Sequence, residues 1–213
     1  MWSAFGVGGW RHIGRARSAK REKLAMKRAN SAIFAPDHQR YTGIAQLFHW
    51  VTAALIFSTI PIAWVMANMP EHARSRDTLF MLHKSLGLTI LAIVALRLAW
   101  RAFNPAPKLD GMIARWEELS SHVSHWLLYI ILVGMPVSGF IMSAASGYPN
   151  IFFGFVLPSF GKNQGLMQIG GLIHMVIGQW MLYTLIIIHV GATVWHTAVR
   201  RDLVLDRMLP PRS

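Results

Sequence analysis

Cysteine is absent from this chain of 213 residues. Its absence excludes disulfide bonds, thiolate-ligated zinc and iron–sulfur clusters, and also the thioether bonds that attach c-type haem to a protein. Any haem that the chain bound would therefore be held by histidine or methionine, without a covalent bond to the protein.

Charge is scarce, and acidic charge is the scarcest. Charged residues make up 14% of the chain, against roughly 25% in soluble domains, and 9 Asp and Glu stand against 21 Lys and Arg. The basic residues flank long uncharged segments instead of alternating with aromatic residues, so the net charge of +12 does not indicate a nucleic-acid partner. The composition indicates a membrane protein, so the lipid bilayer is a predicted partner of the chain.

Four apolar spans are free of Asp and Glu. Each span reaches the roughly 20 residues that a hydrocarbon core requires. Backbone groups in lipid must be satisfied within a helix or a closed barrel, and uncharged blocks of this length favour helices. The sequence therefore predicts an all-α membrane protein, a bundle of four transmembrane helices. The predicted spans run from about Ile44 to Met66, Leu79 to Trp100, His122 to Ala145 and Gly170 to Val199.

Basic residues also predict the orientation of the spans. They are concentrated in the N-terminal segment, between the second and third spans, and after the fourth span, so both termini are predicted to be cytoplasmic in a bacterial inner membrane. Residues 1–40 are predicted to form a basic, disordered cytoplasmic tail, part of which would be absent if synthesis starts at Met26. The four-helix transmembrane domain is assigned to residues 41–209. Its aromatic 146–169 loop is expected at the outer interface or over the end of the bundle.

Four histidines lie within the apolar spans at two matched depths, whereas His122 and His125 open the third span and His196 lies near the cytoplasmic edge of the fourth. His49 and His189 lie nine and eleven residues from flanking arginines, roughly 14–16 Å from the cytoplasmic end. His83 and His174 lie near the outer ends of their spans. Ionisable residues at bilayer depth are costly, which makes them functional candidates. Two histidines at each of two levels are what two bis-histidine b-type haems need, so these four are the predicted axial ligands of haem iron.

Neighbouring residues favour the same prediction. Gly87 and Gly178 each follow one turn after an outer histidine, and a flat macrocycle needs such a gap, although small residues also serve helix packing. Arg97 lies on the same face of the second span as His83, but at the inner level. There it could pair with a haem propionate. His125 lies near the same level. It is a rival to His49 as a ligand, and a hydrogen bond to a propionate or a quinone is its preferred role.

Alternatives remain open at this point. A single membrane histidine more often makes an interhelical hydrogen bond than binds a metal. A non-haem metal is disfavoured because such sites usually recruit carboxylates as well. A histidine-lined transporter or proton channel, and a membrane scaffold without a redox role, are the alternatives to an electron carrier.

Several short stretches recur in a characteristic order over roughly residues 41–209. They are QLFHW at 46–50, LHKSLGL at 82–88, LRLAWR at 96–101, SHWLLY at 124–129, MPVSG at 135–139, and His189-Val190, Trp195-His196, Arg201-Asp202 and Leu205. Together they resemble the bacterial cytochrome b-561 family. The two histidines of the fourth span are fifteen residues apart, one residue more than the resemblance implies, which predicts a local bulge.

The resemblance implies a four-helix cytochrome with two haem b groups per chain, ligated by His49 with His189 and by His83 with His174. Members of the family pass electrons between a donor at the outer side and the quinone pool, and some resemble superoxide-to-ubiquinone oxidoreductases. We therefore expect an electron carrier with ubiquinone as a substrate and an unidentified donor. Related sequences serve as haem-bearing membrane anchors of dehydrogenases or hydrogenases, which is the alternative function within the resemblance.

Overall fold

A computed structural model describes residues 40–108 and 113–211 of the chain. Within these residues, four helices are long and apolar enough to cross a membrane, which confirms the predicted fold class. The helices are α1 (Gly43–Asn68), α2 (Arg76–Phe103), α3 (Arg115–Ala144) and α4 (Gln164–Arg200). An antiparallel hairpin of β1 (Asn150–Phe152) and β2 (Phe155–Leu157) lies between α3 and α4, and a short 3₁₀ helix (Asp206–Met208) follows α4.

Polar residues extend the helices beyond the predicted apolar spans. Thr42 and Asn163 accept hydrogen bonds from backbone N–H groups in the first turns of α1 and α4, as N-cap residues do. Glu117 reaches back to accept a hydrogen bond from the Ala114 N–H group, which precedes α3. α3 consequently begins about two turns before the predicted start of its span, because a count of apolar residues does not detect a polar first turn.

The fourth helix is not a regular α-helix. Leu172–Gly178 and Trp195–Arg200 are π-helical, and a π-helical stretch accommodates an additional residue in a helix. The first stretch contains His174, so it absorbs the extra residue that separates His174 from His189. The structure therefore has the local bulge that this spacing predicts.

The packed core lies halfway along the bundle, between the two levels of histidines. Ile90 and Val94 of α2 cluster there with Tyr129 and Leu132 of α3 and with Leu182 of α4. Many other large apolar side chains are exposed on the outside of the bundle, as expected for helices that face lipid. The core thus separates the outer histidines from the inner histidines.

The chain that follows α4 folds back over the start of α1. The Arg40 guanidinium donates to the Asp206 carbonyl at 2.8 Å and pairs with the Asp206 carboxylate at 3.1 Å. Gln46 donates to the Leu209 carbonyl at 3.0 Å. Arg40 therefore belongs to the folded domain and not to the predicted tail. Residues 1–39, on which the rest of the predicted disordered tail falls, lie outside the described residues.

Candidate cofactor sites between paired histidines

The outer level brings His83 of α2 and His174 of α4 together. Their ring centres are 6.0 Å apart, and the ring planes meet at 85°. Nδ1 of His174 lies 2.7 Å from the Met135 carbonyl oxygen. Because a carbonyl only accepts hydrogen bonds, Nδ1 carries the proton and Nε2 keeps its lone pair. An imidazole held through one nitrogen, with the other nitrogen free, is the usual form of a metal-binding histidine.

Two glycines allow His174 to approach α3 this closely. A Cβ atom on Gly139 would lie 2.8 Å from both Cε1 and Nδ1 of the His174 ring. A Cβ atom on Gly170 would lie 2.9 Å from backbone atoms of Ser138 and Met142. Small residues let membrane helices cross closely. Gly139 and Gly170 therefore set the position of the His174 ring relative to α3.

A cleft lies beside the outer pair, and residues of all four helices line it. A Cβ atom on Gly87 would meet nothing within 4 Å, so the predicted gap beside His83 is present. Nδ1 of His83 is buried and makes no hydrogen bond within the described residues, although the Thr59 backbone lies near the ring. The cleft beside the two rings fits a planar group held between two imidazoles.

Three histidines meet at the inner level. The ring centre of His189 on α4 is 6.2 Å from that of His49 on α1 and 5.3 Å from that of His125 on α3. Two imidazoles on opposite sides of one metal ion, each bound at about 2 Å, hold their ring centres roughly 6 Å apart. The spacing of His49 and His189 fits that arrangement as well as the outer pair does. The ring centres of His125 and His189 are closer together than this arrangement needs, so the spacing favours His49 as the partner of His189.

Positive charge lies beside the inner pair, where the sequence predicts it. The Arg97 guanidinium lies near both His49 and His189, and it also lies 5.5 Å above the centre of the Tyr129 ring. His125 adjoins the same group of residues. An arginine beside a histidine can bind a carboxylate, such as a haem propionate, or donate to a quinone oxygen.

Gly178 lies in a different environment from the one that its spacing predicts. It is buried, and a Cβ atom there would collide with the Met135 side chain and with the Ile173 carbonyl. The gap left by its missing side chain is filled by Met135, which itself lines the cleft. In this structure Met135 lies where an open gap beside Gly178 was expected, whereas Gly87 faces open space. A role of Gly178 beside a haem stays a prediction.

Two contributors to the outer site were not predicted from the sequence, namely the Met135 carbonyl and Gly139. Spacing along one helix gives depth and angular position, but it does not tell which residue of a neighbouring helix is opposite. A weak signal was present, because Pro136 lies inside α3 and Gly139 follows about one turn later. A proline with a nearby small residue is typical of a place where a membrane helix bends and another approaches.

The fold and the sites together define a class of protein. Four membrane-spanning helices bring histidine rings together at two levels, with ring centres 6.0 and 6.2 Å apart, which fits a membrane cytochrome with histidine-ligated haem. Residues 40–211 match the family described as prokaryotic cytochrome b561, and the chain belongs to this family. It is therefore a multi-pass protein of the bacterial inner membrane that binds haem b and transfers electrons, as the resemblance implies.

Named relatives match over nearly their whole length. Cytochrome b561 homolog 2 of Escherichia coli K12 is 26% identical over 182 residues, which cover 84% of this chain and 96% of that protein. Cytochrome b561 homolog 1 of the same strain is 26% identical, with 82% of this chain and 99% of that protein covered. A Yersinia pestis protein named probable superoxide oxidase CybB is 26% identical over 178 residues, covering 82% of this chain and 98% of that protein.

Gly139→Ala is expected to weaken haem binding at the outer level, because the added methyl group would displace the His174 ring. Overpacking in a close-packed interior costs about 1–3 kcal/mol, which corresponds to a roughly 5- to 150-fold loss of affinity. Haem content and the low-spin signal of the purified variant measure the effect. Gly134→Ala on the same helix is the matched control, since its Cβ atom would meet nothing within 4 Å. Equal haem content and identical spectra in both variants would contradict the role of Gly139.

Proposed function

We propose that this cytochrome holds two haem b groups, one between His83 and His174 and one between His49 and His189. The observation that carries the proposal is the matched spacing of the pairs, whose ring centres are 6.0 and 6.2 Å apart. Both pairs share α4, and the packed core separates them. His125 is the remaining histidine at the inner level, and its distance from His189 supports a role other than iron ligation.

Residues around the two histidine pairs orient the imidazole rings and are placed to bind haem propionates or a quinone. Haem b, when bound, supplies the reversible one-electron chemistry of iron. The Met135 carbonyl keeps His174 in the tautomer with a free Nε2, and Gly139 leaves room for its ring. Arg97 is placed to pair with a propionate, and His125 to donate to a propionate or a quinone. Two imidazoles for each iron leave no position for O₂, which favours electron transfer over oxygenation.

We further propose that electrons enter at the outer level from a periplasmic donor, with superoxide as the favoured candidate, and leave at the inner level to ubiquinone. The name of the Yersinia pestis relative supports superoxide as the donor. Oxidation of two superoxide ions releases two O₂ and two electrons, which with two protons convert one quinone to quinol. Basic residues outnumber acidic ones around the outer end: Arg74, Arg76, Lys84 and Lys162 against Glu71 and Asp77.

The proposed direction requires both termini to be cytoplasmic, as the distribution of basic residues predicts. A reporter that is active only in the periplasm, fused after the last residue, is expected to be inactive. The same reporter inserted in the loop between α1 and α2 is expected to be active. The opposite pattern would place the His83 and His174 level on the cytoplasmic side and would overturn the proposed direction.

Lys84→Gln combined with Lys162→Gln is expected to slow haem reduction by superoxide. A positive entrance concentrates small anions and raises their on-rate by roughly 10- to 1,000-fold, so removal of two charges should slow reduction about tenfold at low salt and less at high salt. Stopped-flow spectroscopy at two ionic strengths measures this effect. Lys108→Gln, on the predicted cytoplasmic side, is the control.

Rates that are independent of both salt and these lysines would contradict electrostatic steering. If superoxide reduced no haem in the wild-type protein, superoxide would be excluded as the donor. The favoured function would then be that of a haem-bearing anchor subunit of a dehydrogenase or hydrogenase. Isolation of the protein from native membranes, followed by haem reduction with the substrate of the co-isolated enzyme, would identify that function.

A further inference from the structure

The hairpin between α3 and α4 differs from a hairpin that faces water. Residues 151–157 read IFFGFVL and contain no polar side chain. Phe155 and Val156 are neighbours in β2, so they point to opposite faces, and each is 73% exposed. An antiparallel hairpin in water usually alternates apolar and polar residues, because only one face is buried. Here both faces of the strand present apolar side chains.

The turn of the hairpin also holds an unexpected residue. Phe152 pairs with Phe155, which leaves Phe153 and Gly154 as a two-residue turn. Their φ angles are +43° and +96°, and a type I′ turn requires positive φ at both positions. Asparagine and aspartate are favoured at the first position, whereas a bulky residue is strained there. The Phe153 ring packs edge-on against the Phe152 ring, with ring centres 5.0 Å apart, and half of the residue remains exposed.

A hydrogen bond between the turn and α2 gives the depth of the turn along the bundle. The Phe153 N–H group donates to Oγ of Ser85 at 2.9 Å, and Ser85 is fully buried. Ser85 follows the first residue of α2, Arg76, by nine residues, which is about 14 Å along the helix. The 28 residues of α2 span about 42 Å, close to the roughly 40–45 Å of a bilayer with its headgroups. The turn is therefore deeper than the outer headgroup layer.

We propose that the turn and β2, residues 153–157, form a membrane anchor that inserts among the acyl chains of the outer leaflet. The exposed side chains of Phe153, Phe155 and Val156 continue the apolar surface of the helices, since β1 packs against both α2 and α3. The hydrogen bond to Ser85 fixes the anchor two residues from His83, on the outer level of the bundle. Insertion thus holds the hairpin beside the outer site and keeps water from that side of it.

The absence of cysteine makes a direct test available, because Val156→Cys introduces a single attachment site for a spin label. The labelled full-length protein is reconstituted in phosphatidylethanolamine and phosphatidylglycerol vesicles. Collision rates with O₂, which concentrates in lipid, and with a water-soluble nickel chelate are then measured. Ile177→Cys on the exposed surface of α4 is the lipid-facing control, and Ser75→Cys in the loop before α2 is the aqueous control.

The label at Val156→Cys is expected to collide more with O₂ than with the nickel chelate, as at Ile177→Cys. Collision with the chelate at the level of Ser75→Cys would show that the hairpin faces water and would overturn the proposal. Protection from both reagents would show that another protein surface, including a second copy of this chain, covers the hairpin, and would overturn it equally. None of these outcomes depends on the proposed haem ligands.

Discussion

His83→Ala is expected to remove the outer haem and to leave the inner haem bound, so the haem content should fall by about half. The reason is that each level has its own pair of imidazoles, and the packed core around Val94 and Leu182 separates the two levels. Loss of one imidazole leaves His174 as the single protein ligand at the outer level. The ratio of haem to protein and the amplitude of the α band in the reduced spectrum measure the loss.

His72→Ala is the matched control for this experiment, because His72 is exposed in the loop between α1 and α2. It is expected to retain the wild-type haem content. Imidazole added during expression should partly restore the outer haem in His83→Ala, since it can enter the space of the lost ring beside the cleft. Unchanged haem content in His83→Ala would show that this residue is not an iron ligand.

His49→Ala is expected to remove the inner haem, whereas His125→Ala should retain both haems. The two residues compete as partners of His189, and their ring-centre distances of 6.2 and 5.3 Å from it favour His49. The expected haem content of His49→Ala is again about half that of the wild type. Spectra of the two purified variants, recorded after reduction with dithionite, separate these outcomes.

His125→Ala is expected to change only the rate of quinone reduction and the reduction potential of the inner haem. The reason is that His125 and Arg97 adjoin the inner pair of histidines. A normal haem content with slower quinone reduction would fit this role. If His125→Ala lost one haem and His49→Ala retained two low-spin haems, then His125 would be the inner ligand and the geometric argument for His49 would be wrong.

Depth in the membrane is the property that the sequence predicts well. A transmembrane helix advances by a constant rise per residue, so the positions of His49, His83, His174 and His189 along the spans could be counted, and the structure brings them together in two pairs. The local bulge expected from the fifteen-residue spacing of His174 and His189 corresponds to the π-helical stretch Leu172–Gly178. The helix starts were predicted less well, since polar caps such as Thr42 and Glu117 lie outside the apolar spans.

Contacts between helices could not be predicted in the same way. Gly87 and Gly178 occupy equivalent positions after their histidines, yet Gly87 faces open space and Gly178 is covered by Met135. Gly139 determines where His174 lies, but it does so from another helix. The hairpin is a further example, because Phe153 occupies a turn position that local preferences assign to asparagine. These features depend on tertiary packing and on the bilayer.

The haem content of the purified wild-type protein tests the central claim most directly. Four axial imidazoles at two levels bind two haem groups, and bis-histidine ligation makes both low-spin. A pyridine haemochrome assay, normalised by quantitative amino-acid analysis, is expected to give about two haem b per chain. A reproducible value of one haem or none, in protein purified from cells with an ample haem supply, would contradict the two-level account.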